Sequence, residues 1–308
     1  MSAPTDVTTS RVATWFHSQG MRHVVGDGAV RVSLEGFDLV VECRAPDLLV
    51  ATATWRGLVP GAQEDSVRAH VDAHNGTRLG PSAVLRGQGQ ELRLVARSGA
   101  FITHGMTDAQ LRSALGVAVE TLVVFFDDVA ARFPSLVTWP VVERPEREES
   151  TTVPFGNRDA TPPVTLARVM SWFESSGLAY DLDGEDGTVD SVLDSQGTGY
   201  EYAVAIPGRE RLHLRGVHWA GLPSDEETSA RVRGVLNGMN DAVVFPTLST
   251  FTDDDGLHVR ADIVLDVYEG MSQAQLDQAL GTGAAFIRGA LDHAAGVLAP
   301  APEDVSGQ

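Results

Sequence analysis

One cysteine in 308 residues rules out an intrachain disulfide, so nothing covalent beyond the backbone holds this chain folded. Cys43 alternates with Val41 and Phe37 as a strand residue does. It reads as a small buried hydrophobe rather than a nucleophile, with only Arg44 beside it to lower its pKa. Long apolar runs are missing too: no window approaches the ~18 residues of a membrane span. Met1-Ser2-Ala3-Pro4-Thr5-Asp6 has neither a charged n-region nor an apolar h-region. These absences lead to the expectation of a cytoplasmic protein with no membrane association. Basic residues are few, 23 against 42 acidic ones. The resulting net charge of −19 repels phosphate backbones and anionic headgroups, so no nucleic-acid partner is expected. A basic partner would be attracted, although an acidic surface also serves solubility alone.

Catalytic signatures are equally scarce. There is no Gly-x-Ser-x-Gly elbow and no Walker sequence, and Gly26-Asp27-Gly28 and Gly87-Gln88-Gly89 lack the third glycine and helix start that cradle a phosphate. His70 and His74 stand at i, i+4, but no Glu follows His70 as a zinc-protease helix requires. Asp181-Leu182-Asp183-Gly184-Glu185-Asp186-Gly187 starts like a calcium loop, yet Val192 stands where its bidentate Glu belongs, and a turn is expected instead. Catalytic residues, metal and cofactors are therefore expected to be none.

What the sequence has is repetition. Arg11-Val12-Ala13-Thr14-Trp15-Phe16 returns as Arg168-Val169-Met170-Ser171-Trp172-Phe173, and Gly105-Met106-Thr107-Asp108-Ala109-Gln110-Leu111 as Gly270-Met271-Ser272-Gln273-Ala274-Gln275-Leu276. The offset grows from 157 to 165 between the two matches, a gain that surface loops tolerate. The expectation is two tandem homologous domains, residues 8–142 and 163–300, joined by a charged proline-rich linker, 143–162, with a disordered tail at 301–308.

In the first copy a helix capped near Thr9-Ser10 presents Val12, Trp15 and Phe16 and stops at Gly20. Alternating segments at 30–34, 37–41 and 48–55 predict three strands. A helix over Glu64–Asn75 and strands over 82–86 and 91–98 follow. The last helix repeats Leu111, Leu115, Ala118, Leu122, Phe125 and Val129 by fours and threes behind a Thr107/Gln110 capping box. The second copy has Ser272/Gln275, then Leu276, Leu280, Gly283, Ile287, Ala290 and Ala294. Its strands are expected near 188–194, 199–206, 211–219, 243–251 and 256–266. The fold class is thus α+β, each domain ordered α-β-β-β-α-β-β-α, with an antiparallel sheet covered by helices on one face.

This order, the early Trp-Phe pair, the Trp55-Arg56-Gly57-Leu58 and Trp219-Ala220-Gly221-Leu222 turns and the capped last helix resemble a YbjN-type domain, which looks like the type III secretion chaperone fold. Where that family often carries Asn-x-Trp-Asn, each copy keeps one asparagine, Asn75 or Asn240, and no tryptophan. The resemblance implies a non-catalytic chaperone-like or adaptor protein that holds a segment of another polypeptide, with paired domains.

Trp15 and Trp172 lie in helix stripes and are expected in the core, where burying ~200 Å² of indole stabilises by up to about 5 kcal/mol. Trp55 and Trp219 either anchor their turns or face a groove; with Leu58 and Leu222 they are the candidate partner-binding residues. The halves are expected to pack as an intramolecular pseudo-dimer. The rival reading is a small-molecule binder or enzyme using the inter-domain cleft, with Asp181, Asp183 or His218 as polar groups.

Overall fold

The computed structural model describes residues 3–44, 47–77, 80–87, 89, 91–138, 161–184, 187–195 and 198–299. The greater part of the expected linker and all of the expected tail lie outside these residues. The first half comprises α1 (Thr9–Ser18), β1 (His23–Gly26), β2 (Ala29–Ser33), β3 (Phe37–Arg44), β4 (Leu48–Trp55), α2 (Glu64–Thr77), β5 (Ser82–Arg86), β6 (Arg93–Phe101) and α3 (Asp108–Arg132). The second repeats the order as α4 (Leu166–Ser176), β7 (Tyr180–Asp183), β8 (Thr188–Ser195), β9 (Thr198–Ala205), β10 (Arg211–Leu222), α5 (Glu226–Ala242), β11 (Thr247–Asp253), β12 (Gly256–Asp266) and α6 (Gln273–Leu298). The sheets are antiparallel, ordered β1-β2-β3-β4-β6-β5 and β7-β8-β9-β10-β12-β11.

Each copy therefore has one strand more than its hydrophobic pattern predicts. β1 and β7 are four-residue edge strands whose central residues are exposed, so no buried face imposes a period-two pattern on them. The cap of α1 also shifts by a residue: Thr8, not Thr9 or Ser10, accepts the amide of Arg11.

Each sheet buries one face under its helices. Leu111, Leu115, Ala118, Leu122, Phe125 and Val129 of α3 are all buried, as are Leu276, Leu280, Gly283, Ile287 and Ala294 of α6. Trp172 is buried, Trp15 half-buried against Phe16, and Cys43 half-buried, with its thiol pKa raised by desolvation. Both capping boxes form. α6 lies closer to its sheet than an alanine would permit: a Cβ on Gly216 would collide with the Ile287 side chain, and one on Gly283 would stand 2.5 Å from Leu214.

The halves meet through reciprocal contacts. Gln110 accepts the amide of Thr107 in its own cap and donates to the Gly270 carbonyl at 2.8 Å; Gln275 accepts from Ser272 and donates to the Gly105 carbonyl at 2.8 Å. The two side-chain amides also bond each other, at 3.0 and 3.3 Å.

The same reciprocity runs along edge strands β5 and β11. Asn75 grips both backbone groups of Ala83, and Asn240 both of Leu248, at 2.7–2.9 Å. Two residues along each strand the grip comes from the opposite half. Asn237 holds the Leu85 amide and carbonyl at 2.8 Å, and Asp72 accepts from the Thr250 amide at 3.1 Å and hydroxyl at 2.5 Å. The asparagine kept in each copy is thus a backbone clamp. Arg97, 6% exposed, spans the seam to the Asn240, Asp241 and Val243 carbonyls and the Asp241 carboxylate.

Candidate functional site

The four candidate partner-binding residues do not form one surface. Trp55 is 1% exposed and stacks on Phe126 at 5.3 Å, which stacks on Phe37 at 4.7 Å. Buried Leu136 closes over the following turn, its carbonyl 2.5 Å from where a Cβ on Gly57 would lie. Trp55 therefore has no face to offer a partner, and its place among the candidates is corrected. Trp219 is 51% exposed, Leu58 42% exposed, and Leu222 half-buried.

The difference between the tryptophans is one of register. Thr54 pairs with Val95 on β6 and Val217 with Arg260 on β12, so His218, beside Tyr200, is the register counterpart of Trp55 beside Phe37. Trp219 is one residue further, where the β10–β12 register breaks, and successive strand residues point to opposite faces. Its indole lies roughly perpendicular to the rings of Phe251 and His258, and its Nε1 donates to Glu201 at 3.1 Å. The Gly221 amide donates to His258 Nδ1, leaving Nε2–H for Asp253 Oδ1 at 2.7 Å, a bond that lowers the Asp253 pKa.

The residues of the rival reading are not brought together. Asp181 and Asp183 lie on β7, the sheet edge furthest from the other half, and His218 is half-buried, with its pKa lowered by desolvation and then by nearby His258. His213 faces Asp262 at 2.7 Å in an ion cluster with Arg215 and Arg260. Among the described residues no cluster of His, Cys, Asp or Glu could hold a metal ion, and no helix is long and apolar enough to cross a membrane.

A site that sequence reading missed lies between α5 and α6. It is an open groove of about 790 Å³, floored by Val235, Gly238 and Met239 of α5 and Ala285, Phe286, Gly289 and Ala290 of α6. The segment Val243–Pro246 lines it too, as do Arg44 and Leu48 of the first half. Phe286, Val243 and Val297 are 39%, 41% and 48% exposed there, and no carboxylate occurs among the lining residues. The groove exists because α6 offers small residues to α5.

At the matching positions in the first half α2 and α3 bring side chains into contact. Phe125, where α6 has Ala290, packs on His74 at 4.3 Å; Asp128, where α6 has His293, meets His70 at 3.3 Å; and Phe133 lies 5.5 Å from His70. The signal was present as substitutions between the copies, visible only once α2 is set beside α3 and α5 beside α6.

The family model YbjN, described as "Putative bacterial sensory transduction regulator", matches residues 8–131 and 165–294. The chain belongs to the YbjN family. Two YbjN segments in tandem account for the two like halves. No curated protein matches the sequence. Among solved structures, "Crystal structure of YbjN, a putative transcription regulator from E. coli" is 17% identical with a TM-score of 0.38, covering 42% of this chain and 96% of that one. "Structure of the HopA1-SchA Chaperone-Effector Complex" is 20% identical with a TM-score of 0.26, covering 42% of this chain and 99% of that one.

Proposed function

We propose that this YbjN-family protein is a non-catalytic chaperone-like or adaptor protein of the cytoplasm that seats an apolar segment of another polypeptide in the α5–α6 groove. In this reading the halves act as an intramolecular pseudo-dimer in which the second binds and the first supports it. The observation that carries the reading is the groove itself, apolar and open, with Ala290 where the first half has Phe125 packed on His74. Leaving Phe286, Val243 and Val297 in water forgoes on the order of 1 kcal/mol or more each, a cost a partner would recover by covering them. Two smaller cavities along the seam hold about 70 and 40 Å³, room for a few waters, whereas the groove is itself lined from both halves and its volume suits a polypeptide segment or, in the alternative reading, a small molecule. A family description naming a regulator is compatible with recognition of another protein.

A photo-crosslinking amino acid at Phe286, introduced in source cells, should give one discrete protein adduct. Gly289→Leu fills the groove, and a Cβ there meets nothing within 4 Å. It should abolish the adduct while raising helix stability by roughly 0.5–1 kcal/mol. No adduct, or one indifferent to Gly289→Leu, sinks the proposal.

A further inference from the structure

The second half carries another apolar surface, on the sheet face turned away from α4 and α6. Near the seam that face is covered by the first half, where Gly76 lies against Ser249 and Arg260. At the far end it is open. Val192 on β8 is 56% exposed and stands opposite Glu201 on β9; Trp219, 51% exposed, is hydrogen-bonded to Glu201 and backed by Phe251 and His258. The strip thus crosses the sheet from β8 to β11. Beyond it the β11–β12 hairpin tip presents Asp253, Asp254 and Asp255, all exposed.

The first half has the opposite character at the same register positions. Ser33 stands opposite Asp38, hydrogen-bonds it at 2.8 Å, and Arg56 bridges to the same carboxylate at 3.0 Å. Arg86 faces Arg93 where the second half pairs Phe251 with His258. Aromatics in the second sheet stand where the first has arginines, and three aspartates stand in the adjoining turn. An exposed indole beside four carboxylates is complementary to an ammonium or guanidinium group on an apolar stem: the ring face attracts the cation, and the carboxylates neutralise it.

We propose that the Trp219 strip binds a lysine- or arginine-bearing segment of another polypeptide, its cation over the indole and its apolar neighbours on Val192 and Phe251. This surface is separate from the α5–α6 groove.

The chain's 23 basic residues are all arginine, so it has no lysine of its own. A carbodiimide that joins carboxylates to amines will therefore couple its acidic side chains to a lysine peptide without competition from internal lysines. The probe is a fluorescein-labelled peptide of alternating lysine and valine, with an alternating glutamate–valine peptide as control. The lysine peptide should bind, more weakly as salt rises, and Trp219→Ala should weaken it by about tenfold or more. Asp254→Asn with Asp255→Asn should weaken it about threefold, while Gly289→Leu leaves it unchanged. Carbodiimide adducts should map to Glu201 and Asp253–Asp255. Equal binding of the glutamate peptide, no binding of the lysine peptide, unchanged affinity in a folded Trp219→Ala variant, or adducts elsewhere would overturn the proposal. So would concentration-dependent self-association that Trp219→Ala dissolves, which would assign the strip to a second copy of the chain.

Discussion

Replacing Asp72 with asparagine should make this protein more stable, and more so at pH 8 than at pH 4. Asp72 accepts two hydrogen bonds from Thr250 across the seam, but burial raises its pKa, outweighing those bonds and the field of Arg233 and Arg260. At the matching position Asn237 is uncharged and holds both the amide and the carbonyl of Leu85. Ionised Asp72 has no hydrogen with which to hold the Thr250 carbonyl in that way. An asparagine side chain in its place could do so while removing a desolvated charge. The bond to the carbonyl replaces the one that the Thr250 hydroxyl makes to Oδ2, so the gain is the relief of the desolvated charge, about 1–2 kcal/mol. A gain of roughly 1–2 kcal/mol raises Tm by about 2–6 °C in a chain of this size.

The pH dependence follows from the direction of the shift. A carboxyl whose folded pKa lies above its unfolded value, ordinarily about 3.9, contributes stability that is full below the unfolded pKa and is lost as pH rises through the folded one. The asparagine advantage should therefore be small near pH 4, grow through the mildly acidic range and level off above the folded pKa. Thermal melts of both proteins across pH 4–8 measure it. An Asp72→Asn variant less stable than the parent at pH 8, or an advantage independent of pH, would refute the reasoning.

Trp55→Ala should cost about 3–5 kcal/mol of unfolding free energy, whereas Trp219→Ala stays within about 0.5 kcal/mol; urea titration separates them. Gln275→Ala removes half of a capping box and the bond to Gly105, a loss of about 1–3 kcal/mol, and its double-mutant cycle with Gln110→Ala should show coupling of about 0.5 kcal/mol or more. Gly216→Ala should destabilise by about 1–3 kcal/mol because Ile287 has to move, although Ala53 occupies the corresponding place in the first half. Calorimetry of the purified variant checks this.

Architecture was legible wherever one residue pattern answers to one local cause. The caps at Thr107/Gln110 and Ser272/Gln275 and the stripes of α3 and α6 depend on helix geometry alone, so they were readable twice over. The reach of Gln110 and Gln275 into the opposite half was not, because a side chain that already has a local role gives no sign of a second partner 165 residues away. Trp55 and Trp219 look alike in sequence, each before a Gly-Leu turn. A difference of one residue along the strand puts one in the core and the other in solvent, and periodicity cannot fix that position without the partner strand. The groove was hidden for a related reason: Gly289 and Ala290 are ordinary helix residues until Met239 and Gly238 are known to face them.

The asparagine and aspartate clamps decide where these sheets can grow. On β5 and β11 the amides and carbonyls of Ala83, Leu85 and Leu248 and the amide of Thr250 are already held by Asn75, Asn237, Asn240 and Asp72, so much of these inner borders is closed to strand addition. Among the described residues the opposite borders, β1 and β7, are each four residues long, and so short a template gives an incoming chain little to zip onto. A polypeptide engaging this protein is thereby steered toward side-chain recognition, and fibrillar stacking of one molecule on the next is discouraged by the same four residues.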